Sequence, residues 1–178
     1  MVPLIVALVV VLFVVVAVIR AVRIIPQLVG QALPMGATEY YVHVPDPGPS
    51  TLHALLKAAG VSDRLRLITD CLAALAGMPV IQIRERLRVG MSYRIVDGEQ
   101  VVVSVFIHAA QISERNGEIR QRLIALARQL SLDLSLYERL TLPLTEREAP
   151  LPLHGLVGLT VAPSGKLSLS VGVRPPAE

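Results

Sequence analysis

Residues 91–108 read MSYRIVDGEQVVVSVFIH, and this stretch decides the fold class. Apolar and β-branched residues flank Asp97-Gly98-Glu99, and an Asp-Gly pair between two such runs is a strong signal for a β-hairpin. The stretch therefore predicts two antiparallel strands, Met91 to Val96 and Gln100 to His108. A single hairpin is only marginally stable in water, so other elements of the chain must cover it.

More strands are expected on both sides of this hairpin. Towards the C-terminus, Leu156 to Val161 and Lys166 to Val173 flank Pro163-Ser164-Gly165, which predicts a second hairpin. Towards the N-terminus, Tyr40 to Val44 has the composition of a short strand and ends at a proline-rich segment. The sequence therefore predicts an antiparallel or mixed sheet.

Apolar residues at helical spacing predict about three helices. The first is expected after a cap at Ser50 or Thr51 and ends at Gly60, the second follows a cap at Ser62 or Asp63 and ends before Gly77, and the third covers Glu114 to Leu130. The apolar stripe of the second helix consists of Leu65, Ile68, Leu72 and Leu75. Strands and helices that follow each other in this way predict an α+β domain.

Two further segments alternate between apolar and polar residues and are predicted as strands. In the segment from Val80 to Val89, isoleucine, leucine and valine alternate with glutamine and arginine. In the segment from Leu130 to Leu136, leucine alternates with serine and aspartate. A period of two residues is typical of a half-buried strand.

The residues from Val2 to Ile19 are apolar and contain no charged side chain. Eighteen helical residues span about 27 Å, which is close to the thickness of the hydrocarbon core of a bilayer. We therefore predict a transmembrane anchor at residues 1–25, a neck at 26–38 and the α+β domain at 39–178. The alternatives are a signal peptide cleaved at Gly30-Gln31-Ala32 and a buried core element.

Two arginines define the end and the direction of the predicted anchor. Arg20 and Arg23 follow the apolar run, and no basic side chain precedes it. Because positive charge is retained on the cytoplasmic side of a membrane, we expect the domain in the cytoplasm, with both arginines at the membrane interface. The sequence thus predicts a single-pass protein of the cell membrane.

The stretch from Val18 to Gln27 resembles the exit from the membrane segment in stomatin-like proteins. The likeness covers about ten residues of low complexity. The glycine and proline-glycine pattern of the first strands in that family has no counterpart in residues 36–110, so the sequence is not assigned to it.

Composition and motif content narrow the range of functions. The net charge is +3, aromatic residues make up 3% and tryptophan is absent, so we expect no sequence-specific nucleic acid as a partner. Cys71 is the single cysteine, which excludes an intrachain disulfide. Phosphate-binding loops, nucleophile elbows and helical zinc motifs are not found. We therefore predict no cofactor, no metal site and no catalytic residues.

A set of arginines is the strongest candidate for a binding site. On the predicted strand, Arg84, Arg86 and Arg88 would share one face with a spacing of about 6.6 Å, and Arg94 would be near them on the next strand. Guanidinium groups in a row can hold phosphates of lipids or nucleotides. The alternative is a solvated strand face with charges balanced by neighbouring carboxylates.

Two other features could support catalysis. His43 and Asp46 flank Pro45 and could form a base and its orienting carboxylate, although a structural turn is the favoured explanation. Cys71 could be a nucleophile, although its position beside the apolar stripe predicts a buried side chain.

Three functions follow from these observations. The leading hypothesis is a membrane-anchored binding or adaptor module, whose partners are the lipid bilayer and either another protein or a second copy of the chain. The second is recognition of anionic lipid or nucleotide by the arginines. The third is a membrane-tethered hydrolase or transferase.

Overall fold

The computed structural model describes residues 26–32, 37–44, 47–96, 100–144, 153–162 and 164–173. Among these residues, no helix is both long enough and apolar enough to cross a bilayer. The predicted anchor lies outside the described residues, as do Arg20 and Arg23.

The described strands form one six-stranded antiparallel sheet in which spatial order follows chain order. Every strand pairs with the next one along the chain. The strands are β1 (Pro26–Ala32), β2 (Ala37–Val44), β3 (Val89–Val96), β4 (Gln100–His108), β5 (His154–Val161) and β6 (Leu167–Val173). The predicted α+β class and the antiparallel sheet are therefore confirmed.

The described residues form five α-helices, which lie in the connections between strands of the sheet. They are α1 (Pro49–Ala58), α2 (Leu65–Ala76), α3 (Val80–Arg86), α4 (Asn116–Gln129) and α5 (Ser135–Thr141). The first three connect β2 to β3, and the other two connect β4 to β5. Their buried apolar residues join one cluster with alternate residues of β2 to β5, which places the core on a single face of the sheet.

The elements with the clearest sequence signals are found as predicted. Both hairpins are formed, with β3 paired to β4 and β5 paired to β6. Ile68, Leu72 and Leu75 of the predicted stripe are buried in α2. That helix ends at Gly77, whose φ of 63° lies in the left-handed region that favours glycine.

The predicted strand from Val80 to Val89 is wrong over most of its length, because residues 80–86 form α3. Pro79 directly precedes the helix as its N-cap residue. Ile83 is 2% exposed whereas Ile81 is 84% exposed, as expected for residues two positions apart on a helix. The contact of Ile83 and Leu87 with the core outweighs the strand preference of valine and isoleucine.

The predicted strand from Leu130 to Leu136 is also wrong. After α4 the chain turns through Ser131, whose φ is 54°, and the Leu132 amide donates to the Ala127 carbonyl. The Ser135 amide then donates to Asp133 Oδ1 over 2.9 Å at the start of α5. This bond is the largest cause of the lowered pKa of Asp133. The backbone polar groups of this segment are therefore hydrogen-bonded locally, by capping bonds, rather than by pairing with another strand.

Three smaller predictions need correction. The first helix begins at Pro49 after Gly48, and neither Ser50 nor Thr51 caps it. Ser62 and Asp63 lie in a 3-10 turn that continues into α2, where no side-chain cap is formed. The predicted neck at residues 26–38 contains β1 and the start of β2, so the sheet begins before residue 39.

Candidate functional site

The sheet has two different faces, which follow from the alternation of side chains along each strand. One face packs against the helices. We call the opposite side the outer face and define it by Glu39, Tyr41, His43, Gly90, Ser92, Arg94, Val102, Ser104, Phe106, Gly158, Thr160, Ser168 and Ser170. None of these residues belongs to the core cluster, and most of them are polar or glycine.

A row of hydroxyl groups crosses the outer face. The strand register places Tyr41, Ser92, Ser104, Thr160 and Ser168 directly opposite one another on five successive strands. At about 4.8 Å per strand, the row extends about 19 Å. Ser104 Oγ and Thr160 Oγ1 lie 2.7 Å apart and share a hydrogen bond. Ser92 is 1% exposed, so a partner can reach only the other four hydroxyl groups of this row, each of which can both donate and accept.

An aromatic pair lies beside this row. The ring centroids of Tyr41 and Phe106 are 6.0 Å apart, with an interplanar angle of 48°. Phe106 lies across Gly90 on the neighbouring strand, where a Cβ atom would overlap the ring. Glycine at this position is therefore required for the observed ring orientation. The two half-buried rings give the outer face an apolar contact area next to its hydroxyl groups.

At one end of the outer face, two paired strands carry an acidic and a basic side chain. Glu39 is opposite Arg94, and Ser92 Oγ donates to Glu39 Oε1 over 2.6 Å. Burial and the nearby Glu39 carboxylate raise the pKa of Tyr41 above its ordinary value, so its hydroxyl stays protonated at neutral pH. The buried Arg94 Nε makes no hydrogen bond in the described part of the chain.

The structure does not bring the four predicted arginines together. Arg84 and Arg86 lie on the helix α3 and not on a strand. Arg88 is exposed just before β3, and its backbone amide and carbonyl bond the side chain of Gln111. Arg94 follows it by six residues, which is about 20 Å of extended chain. The predicted arginine row on one strand is therefore wrong, and Arg94 alone lies on the outer face.

The other predicted site residues also lie apart. His43 is on the outer face beside Gly90, whereas Asp46 is outside the described residues. Cys71 is 3% exposed, and burial raises the pKa of its thiol to about 11. Such a thiol is not a thiolate at neutral pH. Among the described residues, no three histidine, cysteine, aspartate or glutamate side chains could together hold a metal ion.

A buried polar network connects α4, α5 and β5 on the opposite side of the sheet. Asn116 Oδ1 accepts from the Leu153 amide over 2.8 Å and lies 3.0 Å from His154 Nδ1. His154 Nε2 lies 2.9 Å from the Tyr137 hydroxyl. The network continues through Thr141, whose hydroxyl donates to the Tyr137 carbonyl and accepts from Arg120 Nε.

These contacts determine the tautomer of the neutral imidazole. Because the Leu153 amide identifies Asn116 Oδ1 as an acceptor, His154 Nδ1 must carry the proton. Nε2 of a neutral ring then accepts from the Tyr137 hydroxyl. Burial, and secondly the Arg120 charge, lower the pKa of His154 below its ordinary value, in agreement with the neutral form. His154 is 2% exposed and its ring nitrogens have partners, so we assign this network to stability.

The hydroxyl row was not predicted, although the sequence contains a signal for it. A hairpin centred on Gly98 places Ser92 opposite Ser104, and one centred on Ser164 places Thr160 opposite Ser168. Counting outward from each turn would have found both pairs, but the order of strands in the sheet also had to be known.

Comparisons of the sequence with protein-family models and with curated proteins found no match.

Proposed function

We propose that this chain is a single-pass membrane protein whose domain acts as a binding module in the cytoplasm. The outer face is the surface that we assign to the partner. The observation that carries the proposal is the hydroxyl row with its adjoining aromatic pair, on the sheet face away from the core cluster.

The chemistry of the outer face supports binding rather than catalysis. Serine, threonine and tyrosine hydroxyls adapt their hydrogen bonds to a partner, and aromatic rings provide contact area at low entropic cost. The hydrogen bonds from Ser92 to Glu39 and between Ser104 and Thr160 include neither a histidine nor a cysteine. A protein surface is the partner class that best matches this mixture of polar and apolar groups.

The membrane part of the proposal comes from the apolar run at Val2 to Ile19 and from Arg20 and Arg23. An anchor confines the domain to the layer next to the bilayer. Confinement raises the effective concentration of a partner in the same membrane, so that a modest contact surface is sufficient for binding.

A photocrosslinker tests the outer face as a contact surface. We expect a benzoyl-phenylalanine residue at Phe106 of the full chain to form protein adducts in native membranes. The matched control replaces Arg66, which is 94% exposed on α2 in the helical layer. The expected result is an adduct at Phe106 that is at least several-fold stronger than at Arg66.

The same experiment separates the proposal from its main alternative, the recognition of anionic lipid. Equal protein adducts at both positions, or stronger adducts at Arg66, would refute the outer face as the binding surface. Adducts at Phe106 that contain only anionic lipid would support the alternative. The structural support for lipid recognition is reduced to Arg94, because Arg88 and the two arginines of α3 do not lie on the outer face.

A further inference from the structure

We propose that β6 pairs with the β6 strand of a second copy of the chain, so that two sheets join across a twofold axis. This inference depends on the geometry of β6 alone and not on the membrane anchor or on the outer face as a binding surface. A dimer of this kind would form one continuous sheet of twelve strands.

The first argument is that β6 is an edge strand. Within the described part of the chain it pairs with β5 and with no other strand. Its opposite edge therefore presents backbone amides and carbonyls to which another strand can bind. Natural proteins usually protect such an edge with charged residues, proline or bulges.

None of these protective features is present within β6. The strand reads LSLSVGV from Leu167 to Val173 and contains neither a charged residue nor a proline. From Leu167 to Val171 its pairing with β5 is regular, and the one irregularity of the pair lies beyond Val171. A straight, neutral strand of this kind is competent to accept another strand.

The second argument concerns side chains that the fold leaves incompletely covered. Leu167, Leu169 and Val171 pack against the core but are only partly buried. Val173 on the same strand is 44% exposed. The apolar surface of the helix-facing side therefore continues to the edge of the sheet, and a further strand would extend and cover it.

The sequence pattern of β6 indicates that its pairing partner is a second β6 strand. Consider two copies of an antiparallel strand related by a twofold axis that passes beside one residue. The numbers of any two residues that face each other across this axis are then both odd or both even. Leucine and valine then face leucine and valine, whereas Ser168 and Ser170 face serine or glycine. The pattern of β6 is thus complementary to itself in any such register. A twofold contact is also closed, which gives a dimer rather than a fibre.

A charge exchange on β6 tests the pairing in the full chain in detergent micelles. The variants are Ser168→Lys with Ser170→Lys, and Ser168→Glu with Ser170→Glu. Both serines are exposed, so the monomer tolerates either charge. Facing like charges should weaken the dimer by at least about tenfold, and an equimolar mixture of the two variants should restore it. The readout is mass by analytical ultracentrifugation.

A monomeric wild-type chain overturns the proposal, and so does a dimer that persists in both charged variants. A disulfide test applies if the charged variants do not fold. Under mild oxidation Ser170→Cys should form a covalent dimer, whereas Ser164→Cys in the preceding turn should not. Equal yields for the two cysteine variants would exclude pairing through β6. The buried Cys71 is the single native cysteine and is common to both variants.

Discussion

Replacing Asn116 with alanine should lower the free energy of unfolding by about 2 to 4 kcal/mol. The substitution removes the acceptor for two buried donors, the Leu153 amide and His154 Nδ1. Each donor that is left without a partner costs about 1 to 3 kcal/mol. Chemical denaturation of the purified chain, followed by circular dichroism, measures the difference.

Two controls separate this loss from a general effect of changing α4. Gln129→Ala alters an exposed polar residue at the other end of the same helix and should change stability by less than about 0.5 kcal/mol. Asn116→Asp retains an acceptor oxygen and should recover part of the loss. An alanine variant as stable as the wild type would contradict the assigned hydrogen bonds.

The same network predicts that stability decreases in mild acid. The pKa of His154 is lower in the folded chain than its ordinary value of 6.5. As the pH falls through that value, the unfolded chain binds the proton first, which favours unfolding. Stability should therefore be constant above about pH 7.5 and fall from pH 7 towards 5, until the folded imidazole is also protonated.

His154→Gln tests the source of this pH dependence, because it retains His43, His53 and His108. The Ser113 hydroxyl and the Arg122 guanidinium lower the pKa of the nearby Glu118 carboxyl, which keeps its titration below this pH range. The glutamine variant should therefore show a flatter profile between pH 7 and 5. An unchanged profile would mean that another group is responsible.

The parts of the fold that sequence reasoning predicted correctly are those with strong local signals. The strands on either side of Asp97-Gly98 pair with each other, as do those on either side of Ser164-Gly165, and the spacing of Ile68, Leu72 and Leu75 gives one buried helix face. The first wrong strand is replaced by a helix of seven residues, and the second by a turn that leads into another helix of seven residues. Over so short a segment, packing of one or two side chains decides between helix and strand.

The candidate site was less predictable, since it depends on relations between distant segments. Arg94 was predicted as a binding residue, but its expected neighbours were assigned to a strand that does not exist. The hydroxyl row needs the register of four strand pairs, and the His154 network joins residues from three elements. Neither follows from the pattern of any one segment.

The membrane anchor that we propose would determine where the domain functions. Val10→Arg combined with Val11→Arg places two charges in the middle of the apolar run. Each change from valine to arginine raises the insertion free energy by about 3 to 4 kcal/mol at the centre of a helix. The double variant should therefore lose its membrane association, whereas Val10→Leu with Val11→Leu should retain it.

Extraction of membranes at alkaline pH measures this directly, because it releases peripheral proteins and leaves integral ones in the pellet. If the anchor is present, the wild-type chain and the leucine variant stay in the membrane pellet at full length. The arginine variant is released. Release of the wild-type chain, or its recovery without the first 25 residues, would contradict the account.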